Sequence, residues 1–563
     1  MNRTFVLSAI VFGSTALGCG SGDDGDVGVD SSDVEPRITY SGDIRALVET
    51  NCTGCHFAGG PAPFAFETYE EVSAASSVML DSITSGRMPP WPADPSCRSY
   101  ANERGLTPEE ITTFEAWLDE GAPQGEPTEP IAVVPAELEA THAFSAAAPY
   151  TPDFSAEGDD YRCFLLDADF DAPAWVQGST VAPATAAVHH VLVYALDAEQ
   201  AAQAEALDAA DEGEGYTCFG GPLPADGSEG NDFGGALQVT QLAGWVPGSE
   251  PNIIPPQLGI PIDAGSRVVM QIHYSAVGGD SVADQTQLQL QLTETPPQSV
   301  MRTVPLAIPE LQIPAGEDDV TFTSTLTNWS DRPVDITSLT GHMHLLGKSI
   351  SAHVEHADGG QTCGLSIPQW DFDWQLSYDL PEQEQLTVAP GDGVKLTCSY
   401  DNTAQNQQVI DGQQLEPRDV QWGDGSLDEM CLVYATVIEP YEAPDPGVGE
   451  GACAAASECF GASDGSLTGL FGCESASSVC AICALEAGTT CGLTPCLLAL
   501  ASARECIAEC ILSTTAFGGT LGRCLEASCG EAYDELTSCA DPVVQSGACD
   551  EAFATSCGLD GGG

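Results

Sequence analysis

Apolar residues recur along this chain in two different patterns. In the first part the spacing is helical, closing with Leu106, Ile111, Phe114, Trp117 and Leu118. That run opens with Thr107-Pro108-Glu109-Glu110. It offers an N-cap hydroxyl, then a proline in the first turn, then acids at the positive end of the helix dipole, so a helix is predicted to start there. From about residue 150 to 445 the signals change to β. Short Val, Ile, Leu and Tyr runs such as His190-Val191-Leu192-Val193-Tyr194 and Val268-Val269-Met270-Gln271-Ile272-His273-Tyr274 lie between Gly and Pro turns. A β stretch this long predicts two all-β sandwich domains, jelly-roll-like, with a boundary near residue 300.

The ends of the chain differ from its middle. Arg3 precedes an apolar run from Phe5 to Phe12, too short to cross a bilayer, and Thr15-Ala16-Leu17-Gly18-Cys19 follows. Small residues before a cysteine resemble a bacterial lipobox, so residues 1–19 are expected to be a lipoprotein signal peptide with Cys19 lipidated. Ala16 stands where that pattern usually has Leu, which leaves ordinary signal cleavage open. Residues 20–37 make a flexible acidic tether, 38–125 a small all-α domain, 126–300 and 301–448 the two sandwiches, and 449–563 a Cys-rich domain. A Pro- and Glu-rich linker covers 122–136. The expected location is outside the cytoplasm, facing the periplasm or the cell surface as an outer-membrane lipoprotein held by its lipid anchor.

Bulk composition adds two constraints. The 563 residues exceed one core and suggest several domains. Acidic residues number 84 against 15 basic, a formal charge of -69, which excludes nucleic acid because nothing neutralises phosphates. A solvated acidic surface screened by counterions explains the excess. Fourteen of the 23 cysteines fall in residues 449–563, with Cys506 and Cys510, and Cys524 and Cys529, spaced to share helix faces. An even count in an exported segment predicts seven disulfides of unassigned connectivity, with a metal cluster as the rival. An appended adhesion module is a further role open to this segment.

Cys52-Thr53-Gly54-Cys55-His56 has the spacing of covalent haem attachment: two thiols add to the vinyl groups and the next histidine ligates iron. Met88, in Gly86-Arg87-Met88-Pro89-Pro90, is the candidate for the opposite axial position. Asn51 to Ala122 resembles the cytochrome c family, which implies one haem c bound by Cys52, Cys55, His56 and Met88.

Only nine histidines occur in the chain, and five lie in three compact β motifs: His189-His190, His273 before Tyr274, and His342-Met343-His344. Residues two apart on a strand share a face, so His342 and His344 can hold one metal, and the thioether of Met430 suits copper that cycles through Cu(I). His189 and His190 reach one ion together only at a strand end or kink. In this order, with Glu429-Met430-Cys431 and Tyr434 following, the motifs resemble the copper type II, ascorbate-dependent monooxygenases over residues 150–445. The resemblance implies an electron-transfer copper on His189, His190 and His273 and an oxygen-activating copper on His342, His344 and Met430. It also implies a disulfide between Cys398 and Cys431; Cys163 and Cys218 are candidates for a second. Cys97 and Cys363 stay unassigned, and His142, His353 and His356 match nothing in the family.

The reaction so implied is oxidoreductase chemistry: one oxygen atom of O2 enters a C–H bond and the other becomes water. Two electrons are required, from ascorbate or a protein donor. A haem tethered by the linker can supply the three-histidine copper one electron at a time, drawing on a periplasmic donor. Peptide-hydroxylating relatives hold a carboxylate with an Arg, an Asn and a Tyr, and here the three positions are Thr340, Leu432 and Tyr434. Only Tyr434 agrees, as a possible substrate contact, and Arg267 is the lone basic residue between Cys163 and Met301, so a small neutral or cationic substrate is expected. The alternative is a non-catalytic copper and electron-transfer protein of the cell envelope.

Overall fold

The computed structural model describes residues 38–441, apart from 59–61, 63, 133–137, 155–158, 219–220, 224–238, 247–248, 250, 276–280, 411–412 and 424. Beyond these it describes 466–473, 504–546 and isolated C-terminal positions. The expected signal peptide, Cys19 and most of the tether lie outside the described residues. Among those described, no helix is long and apolar enough to cross a membrane.

A small helical unit comes first. Its helices are α1 (Arg45–Asn51), α2 (Tyr69–Thr84) and α3 (Pro108–Asp119). Thr68 with Glu71 and Thr107 with Glu110 each form a capping box that satisfies two otherwise orphaned amides. The α3 start falls where the sequence predicts it. Val72, Met79, Ile83, Phe114 and Trp117 bury the facing sides around Tyr40 and Ile44, and the Trp117 indole donates to the Pro123 carbonyl at 3.0 Å.

Two sandwiches follow. Their strands are β1 (His142–Ser145), β2 (Asp159–Asp169), β3 (Ala174–Ala182), β4 (Val188–Leu196), β5 (Tyr216–Thr217), β6 (Thr240–Trp245), β7 (Leu258–Ile262), β8 (Arg267–Ser275) and β9 (Gln287–Thr293) in the first. The second has β10 (Ser299–Ala307), β11 (Val320–Thr327), β12 (Val334–His342), β13 (Gly347–Glu355), β14 (Gln361–Ile367), β15 (Ser377–Asp379), β16 (Leu386–Val388), β17 (Gly393–Tyr400) and β18 (Leu432–Pro440). Alternation builds these sheets: β17 buries Val394, Leu396, Cys398 and Tyr400 and turns the intervening residues to the other face.

The first sandwich opposes β5-β2-β8-β4-β6 to β1-β9-β3-β7, and the second opposes β11-β17-β13-β14 to β10-β18-β12-β15. One layer runs through both, because β7 pairs in parallel with β10 at Leu258–Ser299 and Gly259–Val300. The boundary near residue 300 is therefore a strand junction within a shared sheet.

Two segments sit elsewhere than their sequence suggests. Residues 91–102, expected within the helical domain, lie on the second sandwich, where Ala93 and Tyr100 are buried in its core beside Trp91. Cys97, unassigned from sequence, is disulfide-bonded there to Cys363. In the Cys-rich part, α4 (Arg504–Phe517) buries Leu512, Ala516 and Phe517 in that same core, so this part is no detached appendage. All nine described cysteines of residues 449–563 are disulfide-bonded. Cys496–Cys539, Cys506–Cys529 and Cys510–Cys524 link α4 and its flank to α5 (Gly530–Gln545) and the turn before it.

Candidate metal centres

The first sandwich gathers three imidazoles. His189 and His190 lie on β4, and His273 lies opposite on β8. The β4–β8 register shifts between Val188 and His190, a bulge that lets two consecutive histidines turn toward one point. Their Nδ1 atoms form a near-equilateral triangle of 3.2 Å, 3.3 Å and 3.4 Å. The centre of such a triangle is about 1.9 Å from each nitrogen, close to a metal–imidazole bond of about 2.0 Å.

A second set of groups orients these imidazoles. His273 Nε2 lies 3.0 Å from Asp159 Oδ1, which keeps the proton on Nε2 and frees the Nδ1 lone pair. Tyr161 stacks on the His273 ring at 4.1 Å. Burial works against the Asp159 charge, but hydrogen bonds from His273 and Ser426 bring its carboxyl below the ordinary value. Burial also lowers His189 to about 4 and His190 well below the usual range, so both imidazoles are neutral and able to ligate near pH 7.

The second sandwich builds a smaller cluster. His342 ends β12 and His344 follows it, their Nε2 atoms 3.3 Å apart. The other ring nitrogens are engaged: His342 Nδ1 by the Gln375 amide oxygen, His344 Nδ1 by the Asp428 carbonyl at 3.1 Å. Burial lowers His342 to about 4 and His344 to about 3. In the antiparallel pairing of β12 with β18, His342 faces Leu432, which brings Met430 to the level of His344. Met430 is only 7% exposed. Its neighbour Cys431 is bonded to Cys398, and the Met430 carbonyl accepts from Tyr400 Oη at 2.8 Å.

Glu429 ties this cluster together. Its carboxylate, fully buried, accepts the amides of His344 at 2.9 Å, Leu346 at 2.6 Å and Met430 at 3.3 Å. Burial pushes it up to about 8, against the pull of those amides. Trp370 covers the turn, donating to the His344 carbonyl at 3.1 Å. Gly347 is required there, because a Cβ would lie 2.5 Å from the Trp370 ring.

The two clusters face each other. The Phe372 ring stacks on His189 at 5.9 Å and meets His344 edge-on at 6.2 Å. Ser426, from the loop before Met430, donates to Asp159 at 3.1 Å, a direct link between the sandwiches. Tyr434 on β18 lies 6.5 Å from the His342 ring. Cys163 and Cys218 are bonded, fixing β2 to the strand beside it.

In the helical unit, Cys52 and Cys55 stand outside any disulfide at the end of α1. The His56 amide turns back onto the Cys52 carbonyl at 2.9 Å, and its Nδ1 lies 3.0 Å from the Phe64 carbonyl. That bond commits the Nδ1 proton and leaves Nε2 with a free lone pair. Burial, then the neighbouring Cys55, raises Cys52 to about 12, so it is a thiol near neutrality. Met88 leaves the end of α2 half-buried, its amide on the Ser82 carbonyl at 3.1 Å. The described contacts do not join Met88 to His56.

Sequence patterns missed Asp159, Tyr161, Phe372, Gln375 and Ser426, which have no local signature. Glu429 stood within the Glu-Met-Cys motif but carried no assigned role. Of the unmatched histidines, His356 is held by Asp392 at 2.8 Å and Thr362 at 2.8 Å, in the turn between β13 and β14.

By their donors, buried neutral imidazoles with one set beside a thioether, these clusters suit a redox metal. Residues 298–444, the second sandwich, match the C-terminal domain of the copper type II ascorbate-dependent monooxygenases. A protein described as MOXD1 homolog 1, from Drosophila melanogaster, is 24% identical over 220 residues. That match covers 36% of this chain and 29% of the relative, so the chain spans under a third of that protein's length. Both findings are similarities to this family. Among solved structures, the bacteriophage PM2 capsid protein P2 aligns at 7% identity and TM-score 0.23, covering 54% of this chain and 98% of its own. The cowpea mosaic virus empty particle aligns at 7% and 0.22, covering 56% and 97%. Scores this low carry no argument.

Proposed function

We propose that this chain is a copper-dependent monooxygenase that hydroxylates a C–H bond of a small neutral or cationic organic molecule, with electrons supplied through its own haem c. The observation that carries the copper assignment is the pair of clusters: three Nδ1 atoms converging in one sandwich, and two Nε2 atoms level with Met430 in the other, facing across Phe372. His189, His190 and His273 would hold one copper and His342, His344 and Met430 the other. Bound there, copper supplies one-electron redox chemistry and activation of dioxygen.

The protein's own part is positioning. Asp159, Gln375 and the Asp428 carbonyl fix the ring tautomers, so each ligating nitrogen offers a lone pair. Glu429 fixes the backbone of His344 against that of Met430. Phe372 and Tyr434 give the space beside the second cluster an aromatic lining. Thr340 pairs with Tyr434 there, and Leu432 is buried, so a substrate carboxylate meets no cation at those positions.

The haem assignment rests on Cys52, Cys55 and a His56 ring whose Nδ1 is already committed. The chain is taken to work in the cell envelope, anchored by lipid at Cys19 and re-reduced by ascorbate or a periplasmic protein; its sequence supports that placement. Oxygen uptake by the copper-loaded protein tests the function. Uptake should require an added organic substrate and vanish in Met430→Ala while first-site copper remains. Substrate-independent behaviour in both proteins would favour a non-catalytic electron carrier.

A further inference from the structure

The three imidazoles of the first cluster come from one sandwich, but part of what orients them comes from the other. Asp159 meets His273 Nε2 with Oδ1 at 3.0 Å and accepts the Ser426 hydroxyl on Oδ2 at 3.1 Å. Ser275 on β8 also bonds this carboxylate, from the same strand as His273. Ser426 reaches it from the second sandwich.

A tight turn presents that hydroxyl. The Asp428 amide closes the turn on the Gly425 carbonyl at 2.8 Å. Arg418 braces it, donating to the Leu427 carbonyl at 2.8 Å and to Asp428 Oδ1 at 3.1 Å. Gly423 packs so closely that a Cβ there would lie 2.6 Å from the Asp428 carboxylate. The Asp428 carbonyl in this turn accepts from His344 Nδ1 at 3.1 Å. One turn therefore holds a histidine of the second cluster directly and one of the first through Asp159.

Phe372 repeats the arrangement. Its ring lies 5.9 Å from that of His189, with 19° between the planes. Its carbonyl accepts Gln375 Nε2 at 3.1 Å, and the oxygen of that same amide engages His342 Nδ1.

The Asp159 bond matters because an imidazole offers Nδ1 to a metal only when its proton sits on Nε2. Asp159 favours that tautomer only while Oδ1 stays on Nε2. Its side chain is 25% exposed, so water competes for both oxygens. With Oδ2 held by Ser426, the carboxylate is kept from turning away. Without that bond it rotates more freely, and His273 loses part of its orientation.

We propose that Ser426 is a positioning residue for the three-histidine site, which reaches full copper affinity only with the second sandwich seated against it. The proposal rests on the copper assignment above. Loss of the hydroxyl should weaken first-site copper about tenfold, the lower end of what losing an outer partner of a ligand costs. The second site should be unaffected, because the turn holds His344 through a backbone carbonyl that the substitution leaves in place.

Cu(II) binding to the full chain, stripped of metal, tests this by competition with a chelator and by the paramagnetic spectrum of the bound ion. A His342→Ala background reads the first site alone, and a His273→Ala background reads the second. In the first background Ser426→Ala should lower affinity about tenfold, while Ser426→Thr, which keeps the hydroxyl, should bind as the parent does. Once Asp159→Ala is present, Ser426→Ala should cost nothing further. In the second background Ser426→Ala should leave affinity unchanged. First-site affinity untouched by Ser426→Ala, an equal loss in Ser426→Thr, a further loss beyond Asp159→Ala, or an equal loss at the second site overturns the proposal. A His342→Ala chain whose bound Cu(II) shows no imidazole-nitrogen coupling refutes the copper reading itself, before any Ser426 variant is compared, and the proposal with it.

Discussion

Removal of the Glu429 carboxylate should cost the second copper before it costs the first. Three amide donors, from His344, Leu346 and Met430, end on its two oxygens inside a fully buried site. In Glu429→Ala each amide is orphaned at roughly 1–3 kcal/mol, so about 3–9 kcal/mol is at stake before relaxation or water entry. Partial collapse and water entry relieve part of this, so the observed loss should fall to about 3–5 kcal/mol. Glu429→Gln keeps one acceptor oxygen but sets an NH2 against backbone donors, and should lose about half as much. Denaturant unfolding followed by tryptophan fluorescence, with and without copper, measures the loss. Copper content measures the consequence: one equivalent retained at the three-histidine site and one lost. If Glu429→Ala unfolds within about 0.5 kcal/mol of the parent and still binds two coppers, the buried carboxylate does not organise the site.

Other perturbations separate the remaining parts. Asp159→Asn should weaken copper binding at the three-histidine site about 10- to 100-fold, read by competitive chelation, and leave the second site intact. Cys97→Ser combined with Cys363→Ser should release the strap and lower stability by up to about 5 kcal/mol from loop entropy, seen as an earlier denaturant midpoint. Replacing Cys52 and Cys55 by Ala should abolish haem absorbance that acid–acetone cannot extract from the parent. Truncation before residue 449 should destabilise the second sandwich, since Leu512, Ala516 and Phe517 leave its core; an unchanged unfolding curve would contradict that packing.

Local patterns carried much of this molecule in the sequence. Thr107-Pro108-Glu109-Glu110 marks the α3 start because caps act over a few residues. The nearness of His342 and His344 follows from strand geometry alone. The His189-His190 pair needed a kink that no residue type announces; the bulge shows itself only in the pairing of β4 with β8. Long-range partners stayed hidden for the same reason. Cys97 and Cys363 are 266 residues apart, and Asp159 meets Ser426 across the two sandwiches. The strap at 91–102 read as part of a helical domain since its apolar residues, Trp91, Ala93 and Tyr100, fit any core. Only tertiary pairing assigns them to the second sandwich.

Metal analysis of the purified full chain, loaded with copper and washed free of excess, tests the central claim most directly. Two coppers per chain are expected, falling to one in His273→Ala and to one in His342→Ala, with the two losses distinguishable by the remaining Cu(II) spectrum. Stable zinc in place of copper, or two coppers retained in either variant, would contradict the assignment of these clusters.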